Sequence, residues 1–143
     1  LEKGYRAWGS DLSPDHTPLE AGLGWAVKLT GTTDFLGKEA LLQQKREGVK
    51  KQLACFTTDD SSINLIGRET IFRDDQRVGW LTSAGFGHTV GRPIGYGYVR
   101  NAEGVNREYL KRGAYSLEIA GTRVPCSLHL QPLYDPASSR IKG

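Results

Sequence analysis

From residue 51 onward, apolar and polar positions follow one another in short runs broken by turn signals. KQLACFTT (residues 51–58) alternates as a strand does. ETIFR (69–73) and RVGWLT (77–82) flank Asp74-Asp75-Gln76, the pattern of a hairpin. IGYGYVR (94–100), YSLEIA (115–120) and TRVPCSLHL (122–130) read as further strands, the last two joined at Gly121. A spacing of roughly ten residues between strands predicts a mainly β chain, an antiparallel barrel or a sandwich.

One stretch has helical spacing instead. In DFLGKEALLQQKREG, Asp34 is placed to cap a helix, Leu36, Ala40, Leu41 and Gln44 share a face, and Gly48 ends it. This divides the chain into an extended segment over 1–33 and a helix-plus-β unit over 34–143. There is no internal repeat and no low-complexity tract. The chain begins at Leu1 and contains no methionine, so it reads as a piece of a longer or processed protein.

Composition removes several function classes. Nineteen Lys and Arg against 16 Asp and Glu give a formal charge of +3, too mild and too scattered for a nucleic-acid surface. The one basic cluster, Lys45, Arg46, Lys50 and Lys51, carries Glu47 within it and reads as a solvated helix end. No apolar run is long enough for a membrane span. Cys55 and Cys126 lie in the apolar contexts LACF and VPCSL and read as buried free thiols.

The glycine-rich run GFGHTVGRPIGYGYV (85–99) invites a nucleotide-loop reading. Gly85, Gly87 and Gly91 do not have the required spacing, and Pro93 and a strand follow where a phosphate-holding helix is needed. The glycines suit a strand that another backbone approaches closely. His16, His88 and His129 are far apart and neither cysteine has a partner at ligand spacing, so no metal is expected. There is no G-x-S-x-G elbow.

The opening segment, EKGYRAWGSDLSPDHTPLEAGLGWAV (2–27), is harder to assign. Trp8 and Trp25 are flat surfaces that can stack on a heteroaromatic ring. Asp11 and Glu20 can accept from ring N–H groups in an enclosed site. The other reading has both indoles filling a core between the segment and the barrel, and chemistry alone favours it.

A family resemblance enters at this point. EKGYRAWGSDLSPDHTPLEAGLGWAVKL followed by DFLGKEAL resembles the aminomethyltransferase fold of the glycine-cleavage T-protein. EKGYRAWGSDL and the ending PLYDPASSRIKG resemble the tetrahydrofolate-binding half of dimethylglycine and sarcosine dehydrogenases, and RVGWLTSAGFGHTVGRPIGYGYV matches the family's strand-loop-strand. The resemblance implies that the last unit is a small antiparallel barrel, the end of a cloverleaf with tetrahydrofolate in its central opening. It implies an upstream FAD domain that oxidises an N-methylamine, whose carbon folate captures as 5,10-methylenetetrahydrofolate. The folate-binding residues it implies are Trp8, Glu20, Trp25, and Tyr134 or Arg140, with no catalytic residue in this chain. The implied partners are the upstream FAD and folate-binding domains of the same chain and a small N-methylamine, in the mitochondrial matrix or a bacterial cytoplasm. A stand-alone aminomethyltransferase or folate-dependent demethylase shares these motifs, as does a non-catalytic regulatory subunit of the same fold.

Overall fold

The computed structural model describes residues 1–142. Six strands run β1 (Val49–Thr57), β2 (Thr70–Arg73), β3 (Gln76–Gly87), β4 (Arg92–Val105), β5 (Tyr115–Ile119) and β6 (Thr122–His129). They close into an antiparallel barrel in the order β1-β4-β3-β2-β5-β6, so every strand is paired on both sides. Of the two β architectures the spacing allowed, the barrel forms.

Two hairpins are set by two-residue turns with both residues in the left-handed region. Asp74 and Asp75 (φ 48° and 65°) join β2 to β3, and Ala120 and Gly121 (φ 48° and 80°) join β5 to β6. Gln76, expected in the first turn, already pairs with Arg73.

The barrel interior holds Phe56, Ile71, Leu81, Val99 and Leu117, with Leu110 closing one end. A second apolar cluster, Leu53, Cys55, Ile94, Tyr96 and Tyr98, lies on the opposite face of β1 and β4. These two strands are therefore buried on both faces, which is why their apolar runs are nearly continuous. Glycines in β3 and β4 permit the close approach of these two strands. A Cβ on Gly79 would stand 1.9 Å from the Tyr98 carbonyl oxygen, and one on Gly97 2.4 Å from that of Trp80.

The helices depart from expectation. α1 spans Lys38–Glu47 and is entered through Gly37 at φ 88°. The Asp34 side chain accepts from the Phe35 N–H instead of capping α1, and Leu36 is fully exposed, because the turn at Gly37 lies between them and the helix. A second helix, α2 (Arg107–Arg112), was not expected. The Asn106 side chain caps it by accepting from the Tyr109 N–H at 2.7 Å. A third, α3 (Ser139–Lys142), is a single turn.

Candidate functional site

The opening segment is fastened to the outer face of β1, β3 and β4 by two buried carboxylates. Asp11, 1% exposed, accepts from Thr82 Oγ1 at 2.5 Å, Ser83 Oγ at 2.8 Å and the Ala7 N–H at 3.0 Å. Its carbonyl accepts from the Tyr98 hydroxyl at 2.7 Å. Glu20 accepts from the Thr17 N–H at 2.9 Å and from Gln44 Nε2 at 3.3 Å, and lies 3.6 Å from Lys51 Nζ. Its backbone carbonyl takes the Leu53 N–H. Both carboxylates are thus engaged by the chain itself, and Glu20 closes a turn and ties it to α1 and β1. Lys51 is thereby drawn out of the basic cluster at the helix end.

The two indoles do not fill a core. Trp8 is 78% exposed and Trp25 is 84% exposed. The space against the barrel is taken by Asp11, Glu20, Ala21 and Leu29, all buried. Trp25 sits in a single 3-10 turn, Gly24–Ala26, that buries none of its residues. Tyr5, 67% exposed, adds a third bare ring on this segment.

The tail meets the beginning of the chain. The Tyr134 N–H donates to the Glu2 carbonyl at 3.0 Å. The Arg140 guanidinium and Lys3 Nζ lie 5.6 Å and 5.8 Å from the centre of the Tyr134 ring. Tyr134 and Arg140, offered as alternatives by sequence, therefore belong to one cluster. Asp135 sets it by accepting from the Ser139 and Arg140 N–H groups at the start of α3. Lys3 was missed, since nothing local announces that residue 3 meets residue 134. Among the described residues no hydrogen bond or ion pair joins Lys3, Tyr134 or Arg140 to Glu20, which works at the other end of the segment.

Burial dominates the shifts of the titratable groups. Burial pushes the Cys55 thiol up to about 11 and the Cys126 thiol to about 12, so neither is a ready nucleophile. Burial also raises the Tyr96 and Tyr98 hydroxyls and lowers the His16 and His129 imidazoles.

Residues 51–135 match the glycine cleavage T-protein C-terminal barrel domain. The chain belongs to this family. Over its full length it is 42% identical to the mitochondrial sarcosine dehydrogenase of Mus musculus. It is 38% identical, over 93% of its length, to the mitochondrial pyruvate dehydrogenase phosphatase regulatory subunit of Mus musculus. It spans only 16% of each of these relatives. The solved glycine cleavage system aminomethyltransferase T from Bartonella henselae superposes on 94% of the chain with a TM-score of 0.76 and 27% identity, the match covering 37% of that protein. In this T-protein barrel, Trp8, Glu20 and Trp25 precede the matched span, Tyr134 lies inside it and Arg140 follows it. The sequence-predicted site residues thus sit mostly on the two extensions that wrap the barrel.

Proposed function

We propose that the chain is the folate-facing C-terminal part of a larger FAD-linked enzyme of the sarcosine and dimethylglycine dehydrogenase type. Such an enzyme passes a one-carbon unit from an oxidised N-methylamine to tetrahydrofolate. The observation that carries this reading is the pair of bare indoles on a segment pinned by Asp11 and Glu20. Exposed tryptophan on an anchored segment suits a face that another part of the protein or a ligand covers.

The residues present fit a folate. Trp8 and Trp25 offer aromatic faces for a pterin or benzoyl ring, and Lys3 and Arg140 offer cations for a carboxylate tail. Glu20, whose oxygens are engaged within the chain, acts by holding the segment that carries Trp25. When bound, tetrahydrofolate supplies the amine nitrogens that capture the carbon. This chain contributes orientation and exclusion of water, which guard a reactive iminium against hydrolysis. FAD and the amine are assigned to regions outside the 143 residues, and the isolated chain is not catalytic. The setting is the mitochondrial matrix or, for a bacterial source, the cytoplasm.

Calorimetric titration of the full-length protein with tetrahydrofolate tests this. Saturable heat that Trp25→Ala weakens is the expected result. A folded protein giving no heat favours a second reading, a non-catalytic regulatory subunit, which the 38% identity to one such subunit supports.

A further inference from the structure

A cavity of about 200 Å³ opens where the N-terminal segment crosses the outside of β3 and β4. None of the residues assigned to folate lines it. Its walls bring together two guanidiniums, those of Arg68 and Arg100. Arg100 lies over the Trp80 ring at 4.1 Å, and among the described residues its guanidinium donates only to the Tyr98 carbonyl in its own strand, at 3.2 Å. Burial lowers its affinity for the proton, and the nearby Glu20 carboxylate offsets this only in part.

Arg68 is the odder residue. Its φ of 90° lies in the left-handed region, directly after Gly67 at 85°. A long side chain carries a backbone penalty there that glycine does not. Among the described residues it bonds only through its backbone N–H, to the Leu81 carbonyl at 2.9 Å. The fold thus places an arginine in strained backbone and leaves its planar fork free at the cavity wall.

The remaining wall supplies neutral hydrogen-bonding groups. His16 stacks on Tyr98 at 4.1 Å and 13°, and its Nδ1 is buried with no partner. Ser10 and Ser13 add hydroxyls. Asp15 is the one carboxylate on the wall, so the lining keeps a net positive charge with His16 neutral. Lys51 is nearby but is held by the Asp15 carbonyl at 2.7 Å and by Glu20.

We propose that this cavity binds a small oxyanion, a phosphate or a short dicarboxylate, gripped between the forks of Arg68 and Arg100. Two planar guanidiniums match the paired oxygens of such groups. Arg68 and Arg100 against Asp15 leave the lining one positive charge, which one negative charge neutralises, while the two forks together supply donors for paired oxygens.

Equilibrium dialysis of the full-length protein with radiolabelled phosphate, and separately with labelled succinate, at constant ionic strength, tests the proposal. One saturable site is expected for at least one probe, and the arm that saturates identifies the ligand type. Arg68→Gly should weaken that site at least tenfold while leaving the thermal midpoint unchanged or raised, because glycine relieves the backbone. Arg100→Gln should weaken it comparably. Failure of both probes to saturate, or binding unchanged in Arg68→Gly, overturns the proposal. Neither result bears on the folate reading, which has its own titration.

Discussion

The anchor at Asp11 has a measurable price. Asp11→Ala removes the acceptor for Thr82 Oγ1, Ser83 Oγ and the Ala7 N–H. Thr82 keeps a second acceptor, the Tyr96 carbonyl at 3.1 Å, so it is not stranded. Ser83 and Ala7 are. Hydrogen bonds to a charged group contribute about 1.5–3 kcal/mol each, offset by the cost of having buried the carboxylate. The expected net loss is about 3 kcal/mol, a large share of the roughly 5–15 kcal/mol that holds a domain together. Asp11→Asn keeps the shape but loses the charge, and should cost about 1–2 kcal/mol. Urea unfolding gives these differences as shifts in midpoint at constant slope. Limited proteolysis then locates the damage: cleavage within residues 2–27 should appear before the barrel loses its far-ultraviolet signal. An alanine variant within about 0.5 kcal/mol of the parent, or an asparagine variant as damaged as alanine, refutes the assignment of Asp11 as a charged anchor.

Other outcomes follow from the same geometry. Trp25→Ala and Trp8→Ala should each change the stability of this chain by no more than about 0.5 kcal/mol, since the rings are bare, yet weaken tetrahydrofolate binding to the full-length protein by about 1–3 kcal/mol; unfolding and calorimetry together check this. Gly97→Ala should cost about 3 kcal/mol or more or prevent folding, read from the thermal midpoint, because its Cβ meets the Trp80 carbonyl oxygen. Cys55 and Cys126 should resist a thiol reagent at pH 8 until denaturant is added, since burial holds both as thiols. Stability should fall between about pH 7 and pH 5: His16 and His129 are held below the ordinary imidazole value, so the unfolded chain takes up protons first as pH drops through about 6.5. His129→Gln should flatten that slope in a midpoint-against-pH series.

What could be read in advance divides along a physical line. Strands with one or two buried faces announce themselves, and the β1, β5 and β6 runs fall within a few residues of their observed bounds because alternation and turn chemistry are local. The length of β4 was hidden, because Asn101, Ala102 and Glu103 carry no β signal and lie in the irregular step between the Lys51↔Arg100 and Val49↔Val105 pairs. α2 was hidden because six residues are too few to show a period, although Asn106 was a legible cap. The core reading of Trp8 and Trp25, which chemistry alone favoured, fails for a different reason. Composition says that indoles are usually inside, but it does not say inside which body.

That last distinction bears on function. A segment whose rings stay bare while two of its carboxylates are buried has its usual polarity reversed. Burying Asp11 and Glu20 costs desolvation that only specific donors repay, and here the donors come from β1, β3 and α1. A merely connecting segment would be held as well by apolar contacts of the kind Leu29 makes, with the tryptophans turned inward. Using polar anchors instead fixes the backbone in one register and leaves the largest apolar faces free. A fixed backbone matters for stacking, because a ring that must be ordered on binding loses affinity to the entropy of ordering it. Loosening the anchors without touching either ring should therefore weaken tetrahydrofolate binding. Asp11→Asn, the milder variant, makes the test: affinity lowered by severalfold in a protein still folded supports a presented surface, whereas full affinity would mean that the indoles' position is set elsewhere.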